Sequence, residues 1–249
     1  MKKLTLLLTT LLTQQLFALI SIVPVEIGID PGYSGNIAAS LETKRGNTHK
    51  DNYKIATKLS YDNNKDFVTW AEISGEYGKS NNVKDTNKLY LHLRYIHALS
   101  NESLRAEAFA QIQDNEFKLI KRRLLGGAGV RMRLFETMDA GKGYLGLGGF
   151  FEQIRYTSID PAEDNFRANI YFAYASKIGD DSTLSYNIYY QPNTQDFSDY
   201  ITSQTLALKL HVYKRLFLKF QIAYDSDSVA PLGVQKYDFT QTSSFVFNF

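Results

Sequence analysis

The chain is expected to fold as an all-β protein, a transmembrane antiparallel up-and-down β-barrel of about twelve strands. Three observations lead there. Period-2 alternation of apolar and polar residues runs from about residue 35 to residue 249, with helical periodicity nearly absent. The alternating segments reach ten or more residues, longer than most soluble strands and suited to crossing a bilayer. Their apolar faces end in Tyr or Phe at both rims.

The N-terminus, MKKLTLLLTTLLTQQLFA, places Lys2 and Lys3 before an apolar run and Ala18 at its end. Residues 1–18 therefore read as a signal peptide. The alternative, a single membrane anchor, is disfavoured because the run is short and broken by Thr and Gln. Residues 19–34 form an N-terminal extension or an element folded into the lumen, and residues 35–249 form the barrel. Strands are expected near 35–45, 49–61, 66–78, 86–98, 103–114, 120–134, 142–155, 165–178, 182–191, 199–213, 215–225 and 236–249. With the N-terminus in the periplasm, the tight links DNNK (62–65), SNES (100–103), GDD (179–181) and KR (214–215) lie on the periplasmic side. The longer links GKSNNVKD (78–85), TSIDPAEDN (157–165), PNTQDFS (192–198) and SDSVAPLGVQ (226–235) lie outside.

Side-chain direction follows from alternation. In 215–225, Leu216, Leu218, Phe220, Ile222 and Tyr224 share one face, opposite Lys219, Gln221 and Ala223. A soluble sandwich alternates too, so the rims decide. Tyr53, Tyr77, Phe166, Tyr190, Tyr200, Tyr224 and Tyr237 sit near the outer end of the apolar face; Tyr61, Phe67, Tyr95, Tyr174 and Phe249 sit near the other. These are the aromatic girdles of a membrane barrel. The terminal SSFVFNF continues the lipid-facing stripe through Phe245, Phe247 and Phe249. It resembles the C-terminal assembly signal of outer-membrane proteins, which implies recognition by the barrel-assembly machinery.

Composition narrows the chemistry. There is no Cys, so disulfides, thiolate metal sites and a lipidated N-terminal Cys are excluded. The 28 Lys plus Arg meet 26 Asp plus Glu, and removing Lys2 and Lys3 with the signal leaves 26 against 26. That balance gives no case for a nucleic-acid partner.

The segment RGNTHKDNYKIATKLSYDNNKDFVTWAEISGEYGKS (45–80) carries a Gly46-Asn47-Thr48 turn between two strands. YDSDSVAPLGVQKYDFTQTSSFVFNF (224–249) supplies a Tyr, a short acidic loop, Pro and Gly, then Lys236, Tyr237 and Asp238 before a terminal Phe. Together these resemble the domain of unknown function 481 family, described as salt-induced outer-membrane proteins. The Lys-Tyr-Asp replaces the family's usual Lys-Thr-Asp. The resemblance covers about 35–249 and implies an outer-membrane barrel, with no substrate or catalytic residue attached.

Function rests on the lumen. Twelve strands fall between the eight that side chains can fill and the sixteen that enclose a broad channel. Inward positions away from the mouths carry Lys54, Lys58, Arg94, Arg105, Arg123, Arg131, Arg133, Arg167, Lys177, Lys209 and Lys219 against Glu42, Glu72, Glu76, Glu107 and Glu152. Such a surplus favours small anionic solutes. The reading is a narrow channel with weak anion preference. The alternative is a closed structural or salt-related barrel in which these charges pair across the lumen. A lipid-modifying enzyme ranks lowest: His92 and His211 face inward, but no local cluster suggests a triad. No catalytic, cofactor or metal residues are expected. Lys118 and Arg122 are expected on the outward face near the outer rim, as donors to lipopolysaccharide phosphate. The expected location is the outer membrane of a Gram-negative bacterium.

Overall fold

A computed structural model describes residues 25–44, 49–99, 103–137, 141–157, 162–179 and 181–249. The signal segment 1–18 and the Gly46-Asn47-Thr48 turn lie outside the described residues. Every expected strand forms: β1 (Gly32–Lys44), β2 (Lys50–Asp62), β3 (Phe67–Ser80), β4 (Val83–Ala98), β5 (Leu104–Asn115), β6 (Ile120–Thr137), β7 (Gly141–Tyr156), β8 (Glu163–Ile178), β9 (Ser182–Pro192), β10 (Tyr200–Tyr213), β11 (Leu216–Asp227) and β12 (Tyr237–Asn248). Each pairs antiparallel with its neighbours in the chain, and β1 pairs with β12 to close the barrel. Long β-branched and aromatic runs with one apolar face explain the strands. Closure removes the unpaired edges that a bilayer cannot solvate.

Phe249 takes part in the seam that closes the barrel. β1 and β12 share only a short register, from Asn36 opposite Asn248 to Ala39 opposite Phe245. Beyond it, Gly35 N–H donates to the Phe249 carbonyl at 3.0 Å and Phe249 N–H donates to the Gly35 carbonyl at 2.9 Å. The last residue thus makes the last rungs of the ladder.

Burial is inverted relative to a water-soluble protein. Ile55, Leu59, Ile73, Leu89 and Leu147 are half or more exposed, while Glu152, Arg131, Arg94 and Glu107 are 1–5 % exposed. At about 25 cal/mol per Å² of apolar surface, such a band would be strongly unfavourable in water and is at home in hydrocarbon. Aromatic residues edge it. Tyr33 meets Tyr61 at 4.8 Å between ring centroids, Tyr61 meets Phe67 at 5.9 Å, and Phe67 meets Tyr95 at 5.5 Å, a continuous arc along one rim, the periplasmic one in the expected orientation. Tyr190 with Tyr200 and Tyr224 with Tyr237 mark the outer rim.

Three local features depart from the expectations. Strand β1 starts at Gly32, so residues 32–34 belong to the barrel rather than to the extension. The β3–β4 link is not a long outer loop. Asn81 and Asn82 both take positive φ (49° and 67°), which makes a two-residue turn whose twist matches the strands. Between β5 and β6, a 3-10 turn at Glu116–Lys118 ends on Leu119 in the left-handed region, and β-bulges flank it on both strands. That turn resets the side-chain phase.

Candidate functional site: the barrel lumen

Alternation carries Lys54, Lys58, Glu72, Glu76, Arg94, Arg105, Glu107, Arg123, Arg131, Arg133, Glu152, Arg167, Lys209 and Lys219 to inward positions on β2–β8, β10 and β11. Glu42 also turns inward and meets Lys50 at 3.3 Å, whereas Lys177 is exposed at the periplasmic end of β8. The lumen they line has three zones.

The outer zone is a vestibule of about 140 Å³. Glu152 is shared by Arg123 and Arg167, and Arg167 also reaches Asp199 at 3.0 Å. This links β6, β7 and β8 to the 193–199 loop. Lys118 does not lie on the expected outward face. Its ammonium turns into the vestibule and pairs with buried Asp238, because the 3-10 turn folds over the mouth. Asp225, Asp227 and Asp238 join Glu76, Glu163 and Asp199 on the vestibule wall, so the outer mouth carries no positive surplus.

The waist is crossed by a belt that the sequence did not announce. Glu107 on β5 takes Arg94 from β4 and Arg131 from β6, the latter at 3.3 Å. Tyr171 reaches across from β8 and donates to Glu107 at 2.7 Å, while Arg94 donates to the Tyr171 oxygen at 3.2 Å. Tyr189 stacks on Tyr171 with centroids 5.0 Å apart. Arg94 lies over Phe109 and Tyr171, and Arg131 lies 4.6 Å from the Tyr144 ring centroid. A signal for this belt existed in the glycines. Gly146 leaves the space that the Tyr171 ring fills, and Gly127 leaves space for Phe109 beside Phe150.

The opposite wall of the waist holds lysines. Lys58 stands opposite Glu72 and Lys54 opposite Glu76 across β2 and β3. Lys209 and Lys219 stand directly opposite each other across β10 and β11, a like-charge arrangement that is unfavourable without a counter-charge. Lys219, Lys58 and Lys54 are the charged neighbours of Glu72. Lys58 lies 4.6 Å from the Trp70 ring centroid, and Lys209 donates to Asn248 at 3.0 Å. Glu72 is thus shared by Lys58, Lys219 and Lys54, while Glu76 also faces Lys54 and Asp30 lies near Lys58 and Lys209.

The periplasmic zone is occupied by the chain's own residues 25–31. Val25 and Ile27 pack on Val68, Trp70 and Ile96 inside the barrel. Arg131 donates to the Val25 carbonyl at 2.7 Å, and Gly28 N–H donates to Asp62 at 2.6 Å. Glu26 is held by Lys142 and Tyr144, with Arg133 at 3.7 Å. Burial raises the pKa of the Glu26 carboxyl, but the Lys142 and Tyr144 hydrogen bonds and the Lys142 and Arg133 charges outweigh it and hold the pKa below the ordinary value. Arg105 sits among Arg131, Arg133 and Glu26 at this mouth.

The two inward histidines are far apart in the fold. His92 is buried at the waist between Tyr90 and Phe109. His211 lies at the periplasmic β10–β11 turn, 3.5 Å from Asp181 and 2.9 Å from the Lys214 carbonyl. The His211 backbone N–H donates to Ser182 Oγ at 3.2 Å, but among the described residues no serine hydroxyl is bonded to the ring of either histidine.

A family model described as "Protein of unknown function, DUF481" matches residues 37–249, from the first strand to the terminal Phe249. The chain belongs to the DUF481 family. No curated protein matches it. Among solved structures, this DUF481 barrel is similar to the COG4313 outer membrane channel from Pseudomonas putida F1, at 11% identity and TM-score 0.52, covering 89% of this chain and 97% of that one. It is also similar to the translocator domain of the autotransporter NalP from Neisseria meningitidis, at 7% identity and TM-score 0.50, covering 88% of each chain. The shared property is the fold, a closed barrel of outer-membrane type.

Proposed function

We propose that this DUF481 protein is a narrow outer-membrane channel with weak anion preference, held closed in the conformation described. The carrying observation is the facing pair Lys209 and Lys219, beside Lys58, where the nearby acids are Glu72 and Asp30, three lysines against two carboxylates. Their field lowers the barrier for an anion more than for a cation. The fold shared with an outer membrane channel supports the reading at the level of architecture. The surplus is local to the waist, because acids balance the vestibule. The expected setting is a Gram-negative outer membrane reached through a cleaved signal and the barrel-assembly machinery.

A second reading is a closed structural barrel. It is favoured by the Arg94–Glu107–Tyr171 belt together with residues 25–31 in the periplasmic mouth. An enzyme is the weakest reading, since neither lumen histidine has a triad around it.

Single-channel recording of refolded residues 19–249 in a planar bilayer, under a salt gradient, separates these. A channel gives small steps with an anion-selective reversal potential, shifted towards zero by Lys209→Gln with Lys219→Gln. Replacing Glu26 by Ala and Ile27 by Asp raises open probability. Silence from both proteins, each shown to be a heat-modifiable barrel, overturns the channel and leaves the structural reading.

A further inference from the structure

The outward face of β4–β7 carries an apolar furrow with a basic pair at its upper end. The furrow has a volume of about 330 Å³ and is lined by Leu91, Leu93, Ala110, Ile112, Leu124 and Phe151. It exists because small residues stand opposite each other: Ala110 faces Gly126, and Ala108 faces Ala128, across β5 and β6. Long side chains flank this trough on β4 and β7. Its size falls within the roughly 300–1,000 Å³ of ligand pockets.

One step above Leu124 and Gln153, which face each other across β6 and β7, Arg122 stands directly opposite Arg155. Both are exposed, and Arg123 and Ile154 beside them are buried inward. The exposed Lys121 occupies the bulge next to Arg122. Two guanidiniums facing each other across a strand pair repel unless an anion sits between them. Among the described residues no carboxylate forms an ion pair with either. Of the described acids, Asp164 accepts from Gln153 at 3.0 Å, Glu116 is held by Lys84 and Asn87, and Asp114 contributes to the vestibule wall.

We propose that this face binds a phosphorylated lipid of the outer leaflet. The phosphate bridges Arg122 and Arg155 with the two forks of donors that guanidinium offers, and an acyl chain lies in the furrow below. Charge and apolar shape thus select one amphiphile: an anionic phosphate head at the rim joined to a chain that runs down the barrel wall. The rim position of the arginines rests on the outer-membrane orientation proposed above; the cluster itself does not.

The test uses the folded mature protein in neutral detergent micelles, titrated with bis-phosphorylated lipid A and with its dephosphorylated form, and bound lipid counted by native mass spectrometry. The expected result is tighter retention of the phosphorylated form, weakened at least tenfold by Arg122→Gln with Arg155→Gln. Gly126→Leu should weaken both forms by filling the trough. An outward Cβ at Gly126 meets nothing closer than 4.0 Å, so this variant keeps the fold. Equal binding of both lipids, unchanged binding by the arginine variant, or displacement by millimolar inorganic phosphate overturns the proposal. Membrane fractionation of cells tests location separately. Wild-type protein absent from the outer membrane would remove the physiological setting while the micelle titration still decides the site.

Discussion

Replacing Glu107 by Gln tests whether the waist belt is a closed, desolvated network. Glu107 is 5 % exposed, Arg94 4 % and Arg131 3 %. One carboxylate is shared by two guanidiniums and accepts from Tyr171. Gln keeps the size and removes the charge, leaving two buried cations with Tyr171 still between the walls. Breaking a buried pair costs about 3–5 kcal/mol because the remaining charge is uncompensated. The lower end applies, since cation–π contacts to Phe109, Tyr171 and Tyr144 continue to hold the arginines. With a urea dependence of about 2 kcal/mol per molar, a loss of about 3 kcal/mol lowers the midpoint by about 1.5 M. The assay is urea unfolding of the barrel in detergent, followed by tryptophan emission from Trp70 and by heat modifiability. The control is Arg94→Met with Glu107→Leu, which removes a cation and the anion together and should be milder than Glu107→Gln alone. A Glu107→Gln stability within about 0.5 kcal/mol of wild type refutes the reasoning. It would mean that lumen water screens these charges, and the belt would no longer argue for closure.

Three further outcomes are expected. Gly146→Ala should displace the Tyr171 ring, since an added Cβ falls within it, and raise open probability without loss of the barrel; unchanged recordings would count against Tyr171 as part of the obstruction. Gly35→Val should lower the yield of heat-modifiable protein severalfold, because a Cβ there lies 2.8 Å from the Lys58 carbonyl oxygen and against the Phe249 ring; a normal yield would show that the short β1–β12 seam tolerates side chains. For Glu26, the folded pKa lies below the ordinary 4.5, so its contribution to plug binding is complete above that value and is lost as pH falls through the folded pKa. Protease access to residues 25–31 should therefore rise only in acid, and Glu26→Gln should flatten that dependence; a rise centred near neutrality would exclude Glu26 as the group responsible.

What could be read from the sequence and what could not divides by the range of the interaction. A barrel strand has a strict two-residue period and a bilayer-set length, so all twelve strands and the two girdles follow from local pattern. Local pattern fails where one residue resets the phase. Lys118 reads as outward if β5 and β6 are joined in register, but Leu119 at φ 58° and the bulges around it carry its ammonium onto Asp238. Arg122, beyond the same break, stays outward and finds Arg155 instead of Lys118. The plug was open in the sequence because Glu26 meets Lys142 and Tyr144 more than a hundred residues away. The belt was hidden for a different reason. Tyr90, Phe109, Phe150 and Tyr171 are aromatic like the lipid-facing residues, and only the small Gly127 and Gly146 betrayed that bulky rings point inward. This changes what the charge count means. Glu107 and Glu152 are each shared by two of the inward arginines, and acids line the outer mouth. Any anion preference must therefore arise at the waist, from Lys58, Lys209 and Lys219 with the one unbalanced charge of the Arg94–Glu107–Arg131 belt, a claim about a few residues rather than about the lumen as a whole.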